Sequence, residues 1–296
     1  MIVQSPFAQL KVQDLLLDLA FIFITVYVIC ILIASTIFSN FDSDDSIASY
    51  ISYILFLLIS CFWLHQKLYQ NQIDLKSIFG KFFIDYRLLI RLFLLTVVWL
   101  LFSLGVIFVT FALIPLILPS SMKFLSEYLG STESQAVPMP LYSYFWEIFA
   151  FVIIGPVAEE FIFRGVLLHV LAAKHKIGLS VLMSSLVFGL LHIHPVITSA
   201  KGIFYALLYI KYRSLFVPIF AHAINNAIVT TIPFFLERVI NDATDMPTQD
   251  EITNLWKIGV PLIAVTAPFI VHFFYKYFPS NKISLPYFFN DMIEQQ

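Results

Sequence analysis

Eight apolar stretches, most of them close to the length a helix needs to cross a bilayer, recur along this chain. A hydrocarbon core of roughly 30 Å takes about 20 helical residues at about 1.5 Å each. The stretches lie at Ala20–Phe38, Ile47–Leu64, Leu92–Leu118, Tyr144–Leu168, Ile177–Ile193, Ile203–Tyr212, Leu215–Phe235 and Ile258–Tyr275. The sixth is short, and the third carries Pro115, which predicts a tilt or bend. Neighbouring helices can re-satisfy the backbone groups that such a proline frees within a membrane. The expected fold is therefore all-α: a polytopic bundle of about eight transmembrane helices, with residues 1–296 as a single membrane domain. Composition agrees, since 12% of residues are charged where a soluble domain carries about 25%.

Lysine and arginine are unevenly divided among the connections. With the N-terminus inside, 13 fall on the cytoplasmic side, including Lys67, Lys76, Lys81, Arg87 and Arg91, and 4 on the other: Lys123, Lys201, Arg238 and Lys257. The acidic loop Asp42-Ser43-Asp44-Asp45 lies on the poor side, so both termini are expected in the cytoplasm, and in a bacterium the host would be the plasma (inner) membrane. The segment from His65 to Arg87 would be a cytoplasmic loop with an interfacial helix. A net charge of -2, with no basic stripe, argues against nucleic acid as a partner. Cys30 and Cys61 fall inside apolar runs and read as small hydrophobes. The first apolar run has span length and no small-residue cleavage site, so it is expected to stay as an anchor.

Ionisable groups at membrane depth cost about 2.5–3.5 kcal/mol each, which makes them functional candidates. The fourth stretch contains Gly155-Pro156-Val157-Ala158-Glu159-Glu160-Phe161-Ile162-Phe163-Arg164. Glu160 and Arg164 are helical neighbours at i and i+4, and they read as a structural pair that locks helices together. Glu159 points about 100° away from Glu160 and has no such partner. An unneutralised carboxylate at that depth suits a general base or a proton carrier.

In the fifth stretch Phe188 and His192 share a face at i and i+4. If the fourth and fifth helices form a hairpin turning at Lys174-His175-Lys176, Glu159 and His192 reach similar depth on facing helices. In the seventh, His222 and Asn226 stack in the same way. Their spacing fits either interhelical hydrogen bonding, worth about 0.6 kcal/mol per side chain, or a pair of donors for an oxyanion. Asn225 points elsewhere and reads as structural. His194, before Pro195, is expected to face a loop or water; His169, His175, His65 and His272 are expected near the interfaces.

E-E-x-x-x-R at Glu159–Arg164, F-x-x-x-H at Phe188–His192 and H-x-x-x-N at His222–Asn226, in that order on successive helices, resemble the CAAX prenyl protease 2 family. That family is also called CPBP or Abi and includes lysostaphin resistance protein A-like members. The resemblance implies a catalytic core over residues 145–235 and an intramembrane endopeptidase. It further implies that Glu159 with His192 activates the hydrolytic water, that His222 with Asn226 stabilises the oxyanion, and that Glu160 and Arg164 hold the glutamate-bearing helix. The partner would be a peptide or protein at the membrane, lipidated in the CAAX case. No cofactor is favoured. Zinc, held by Glu159, His192 and His222, is the alternative, but the chain has no H-E-x-x-H, and an asparagine beside the second histidine suits an oxyanion site better.

Two readings of other classes compete. A proton-coupled transporter would also bury carboxylates in broken helices, but it predicts two related halves that this sequence lacks. A non-catalytic immunity or binding protein of the same fold would keep its biological effect without Glu159.

Overall fold

The computed structural model describes residues 5–37, 45–82, 85–118, 120–121, 140–239, 248–279, 285–288 and 290. Asp42, Ser43, Asp44, Lys123 and Lys282, all used in the orientation argument, lie outside the described residues.

A helix lies at each of the eight expected stretches, and no strand occurs among the described residues. After a single 3₁₀ turn come α1 (Val12–Ile37), α2 (Asp45–Gln70), the short α3 (Leu75–Phe79) and α4 (Tyr86–Ile117). One helical path, α5, runs from Leu141 to Ala172 and alternates α segments with two wider π stretches, Ile148–Ile154 and Phe161–Leu167. It is followed by α6 (Ile177–Leu190), α7 (Pro195–Tyr212), α8 (Phe216–Val239), the single-turn α9 (Gln249–Asn254) and α10 (Trp256–Tyr277).

By length and apolar character alone, four helical segments are long enough to span: Val12–Ile33, Ile47–Gln70, Tyr86–Ile117 and Asp250–Tyr277. The other four stretches fall short of that simple criterion for physical reasons. The π stretches break up α5. Ile177–Leu190 and Phe216–Ile232 are shorter apolar helices. The sixth stretch is longer than its apolar run suggested: α7 has 18 residues and begins at Pro195, whose fixed φ and missing N–H suit a first helical turn. Thr198, Ser199 and Lys201 had interrupted the hydropathy without interrupting the helix.

Polarity is distributed inside out relative to a water-soluble fold. Phe21 is 71% exposed, Ile117 81% and Tyr275 88%, whereas Glu160 and Arg164 are buried at 0% and 1%. Apolar side chains facing outward and ionic ones facing inward are the arrangement that lipid stabilises.

Two crossings set the bundle. On α4 and α10, a Cβ added at Gly105 would come within 2.9 Å of the Gly259 carbonyl, and one at Gly259 within 2.7 Å of the Gly105 carbonyl. Only two glycines let these backbones approach so closely, the packing that replaces hydrophobic driving force within a membrane. Nearer the centre, α5 is flanked by α2, α6 and α8, and α7 lies along α6.

The loop after α2 is tied into the bundle more firmly than an interfacial helix would be. Asp74 caps α3 by accepting from the Ser77 amide at 2.8 Å. The Tyr209 hydroxyl donates to the Ile78 carbonyl at 2.8 Å, and the Leu215 amide donates to the Phe79 carbonyl at 2.9 Å. Cys30 and Cys61 are half-buried and free.

Candidate active site

The six-residue segment Gly155–Glu160 is held between the two π stretches of α5. Pro156 cannot donate into the ladder, and a π stretch on each side redirects the side chains that follow it. The two adjacent carboxylates therefore face different neighbours.

Glu160 is fully buried, and its Oε1 accepts from Arg164 Nη1 at 2.9 Å. Arg164 Nη2 donates to the Gly202 carbonyl of α7 at 2.8 Å. The guanidinium lies 4.5 Å from the Phe188 ring centre and 5.5 Å from that of Tyr205. A planar fork with five donors can serve a carboxylate, a carbonyl and two aromatic faces together, which an ammonium cannot. Arg164 thus joins α5, α6 and α7.

His222, on α8, completes this group. Its Nδ1 stands 3.0 Å from Glu160 Oε1, its ring stacks on Tyr205 at 4.8 Å, and it meets Phe188 edge to face at 5.9 Å. An ionised Glu160 only accepts, so Nδ1 carries the hydrogen. Nε2 is then turned toward Glu159, 3.8 Å from Oε2.

His192 was expected within the fifth helix, but α6 ends at Leu190 and His192 sits in the following turn. The last carbonyls of a helix lack intrahelical partners. Here the Phe188 carbonyl takes His192 Nδ1 at 2.7 Å, and the Gly189 carbonyl takes the His192 amide at 3.0 Å. The helix end itself therefore fixes the ring and leaves Nε2 facing Glu159 Oε2 at 4.0 Å. Phe188 packs against that ring at 4.6 Å, as the shared face predicted.

Glu159 is 14% exposed, and its two oxygens differ. Oε1 accepts from the Tyr53 hydroxyl of α2 at 2.5 Å. Oε2 is buried, has no hydrogen-bond partner among the described residues, and faces both imidazoles. The separations of 3.8 and 4.0 Å exceed direct hydrogen bonds.

One turn beyond His222, Asn226 donates its Nδ2 to the Phe151 carbonyl at 2.7 Å and accepts from Asn225 Nδ2 at 2.9 Å. One Nδ2 hydrogen remains for another acceptor. Asn225 is buried and orients its neighbour. His194 is exposed, as expected. His169 is buried within the protein: it is 1% exposed, stacks on Phe7 at 4.8 Å, and its Nδ1 stands 3.0 Å from the Arg164 carbonyl.

Donors around one zinc ion at about 2.0–2.2 Å lie roughly 3.3–3.5 Å apart. The imidazole nitrogens stand 3.8 and 4.0 Å from Glu159 Oε2, and no group of three His, Cys, Asp or Glu side chains among the described residues is set to hold a metal.

Tyr53 and Tyr205 were not singled out by the sequence. Each is an ordinary aromatic in an apolar run, and Tyr53 meets its partner across 106 positions. Tyr205 left a faint signal, lying four residues from Lys201 on a helix with a polar face.

The described residues thus form a helical membrane bundle in which one glutamate and two histidines come together. Residues 141–228, which carry all three motifs, match the family described as type II CAAX prenyl endopeptidase Rce1-like. Over 100 residues the chain is 36% identical to the "Putative membrane peptidase YdiL" of Bacillus subtilis (strain 168), a match covering 33% of this chain and 40% of that relative. The chain thus spans less than half of the relative's length in this match. No solved structure matches it.

Proposed function

We propose that this chain is an intramembrane endopeptidase that hydrolyses a peptide bond of a membrane-associated protein or peptide. The supporting observation is the buried Glu159 Oε2, free of protein partners among the described residues and facing Nε2 of both His192 and His222, within an Rce1-like segment. A water bound there would donate toward Glu159 and His192. Its oxygen attacks the scissile carbonyl carbon while a proton passes to Glu159 Oε2. The negative charge that develops on the carbonyl oxygen meets the remaining Nδ2 hydrogen of Asn226 and a His222 Nε2–H, which requires the His222 ring to carry a hydrogen on both nitrogens at this step. Collapse of this tetrahedral species breaks the C–N bond, and Glu159 returns the proton to the departing nitrogen. Glu160, Arg164 and Phe188 touch no reacting atom and hold the imidazoles in place.

In this reading residues 145–235 form the catalytic core of one membrane domain with both termini in the cytoplasm, and no step passes through a metal. The substrate is a peptide or protein, lipidated if it is of the prenyl type named in the family description. The test is cleavage by purified protein in detergent of a fluorogenic peptide ending in S-farnesyl cysteine plus an aliphatic tripeptide. A non-prenylated apolar peptide and a chelator arm run beside it. Wild type is expected to cleave with or without chelator, and Glu159→Gln to be inactive. Equal turnover by both proteins, or loss of turnover with chelator, would overturn the reading or its metal-free mechanism respectively.

A further inference from the structure

We propose that Tyr53, outside the family-matched segment, is the positioning residue of the site: by holding Glu159 Oε1 it aims Oε2, and the proton Oε2 acquires, at the substrate. This rests on the endopeptidase reading above.

Three observations meet here. The Tyr53 hydroxyl donates to Glu159 Oε1 at 2.5 Å, a length typical of a hydroxyl bound to a charged carboxylate. The other oxygen, Oε2, is the one that faces His192 and His222 and has no partner among the described residues. The approach of Tyr53 depends on a neighbouring glycine, since a Cβ at Gly155 would lie 3.0 Å from the Tyr53 hydroxyl. The Tyr53 ring also packs on Phe151 at 5.1 Å, the residue whose carbonyl receives Asn226. One residue of α2 is thereby braced against both the base and the oxyanion side of the site.

The need for such a brace follows from glutamate itself. The terminal torsion of a glutamate is broad and nearly two-fold, so a free carboxylate exchanges its oxygens and swings. With Oε1 held by an O–H donor, the proton taken from water goes to Oε2. The carboxyl group then carries its hydrogen on the side where the leaving nitrogen forms. Tyr53 neither gains nor loses a proton in this cycle.

Two double-variant cycles test the proposal. In turnover of the farnesylated peptide, Tyr53→Phe is expected to lower kcat by about 10- to 100-fold with KM within about two-fold, the signature of misplaced reacting groups. Gly155→Ala should lower kcat in the wild-type background by crowding the hydroxyl, and should do much less in Tyr53→Phe, where the hydroxyl is absent. The added Cβ would also lie 3.0 Å from the Ala150 carbonyl, and any cost of that contact would be the same in both backgrounds. Additive effects, or a Tyr53→Phe variant with wild-type kcat, would overturn the proposal. The second cycle needs no substrate: Tyr53→Phe is expected to lower the melting temperature of wild type and to leave that of Glu159→Ala unchanged. Equal shifts in both backgrounds mean that the bond is absent and the proposal wrong. Wild type that fails to cleave any probe while the melting cycle is non-additive would sink the endopeptidase reading and leave the bond standing.

Discussion

His222 Nδ1 stands 3.0 Å from the same Glu160 oxygen that receives Arg164 Nη1 at 2.9 Å. One buried carboxylate oxygen therefore orients the His222 imidazole while its charge is met by a guanidinium. Removing the arginine would strand Glu160 and leave Glu159 and His222 beside it without their fixed cation. Breaking such a buried pair costs about 3–5 kcal/mol. Arg164→Ala is expected to lower folded yield and melting temperature in detergent sharply. Arg164→Lys should recover only part, because an ammonium cannot reach Glu160 and the Gly202 carbonyl while stacking on Phe188. A wild-type melting curve for Arg164→Ala would remove the structural role assigned to it.

Glu159→Gln should separate chemistry from folding. The amide oxygen still accepts from Tyr53, and the residue has almost the same shape, so the melting curve is expected to match wild type. The group that takes the proton from water is gone, and kcat should fall by about 10²- to 10⁴-fold, the usual contribution of a positioned base. Retained turnover would identify another residue as the base.

The two histidines should respond differently although both face Glu159. The His192 side chain is 35% exposed and is held by the Phe188 carbonyl at the end of its own helix. His192→Ala is expected to abolish most turnover at little cost in stability. The His222 side chain is 5% exposed, stacks on Tyr205 and bonds to Glu160. His222→Ala should lose turnover and also about 1–3 kcal/mol, since it empties a packed space and leaves a buried acceptor short of a donor. Comparison of their unfolding midpoints in one detergent reads this difference.

The helices and the meeting of Glu159 with His192 were legible in the sequence because each depends on periodicity along one segment. A bilayer fixes helix length, and a hairpin fixes depth by counting from its turn. Four features escaped for reasons of the same kind. α7 extends two turns before its apolar run because the hydropathy of Thr198, Ser199 and Lys201 says nothing about their backbone. His192 lies past the end of α6 because a terminus is set by its hydrogen bonds, here those of Phe188 and Gly189, and these leave no repeat to read. Tyr53 is a contact between distant segments, chosen by how α2 packs on α5. His169 was set at an interface by its place near the end of an apolar run, and the 3₁₀ turn at Pro6–Gln9 covers it.

The crossing of α4 and α10 gives a prediction away from the site. Gly105 and Gly259 face one another so closely that an added Cβ at either would meet the opposing carbonyl at 2.9 or 2.7 Å. A methyl group can be accommodated only if the helices separate slightly, and a branched side chain only if they separate throughout the contact. Gly105→Ala is therefore expected to lower the melting temperature, and Gly105→Leu to lower it further, by about 1–3 kcal/mol or more, as for overpacked cores. The adjacent Leu104 is 40% exposed on the outer face, so Leu104→Ala should change little. Since the crossing lies outside residues 141–228, the folded fraction of each glycine variant should keep the KM of wild type. Similar melting for Gly105→Leu and Leu104→Ala would show that these two helices do not meet at their glycines.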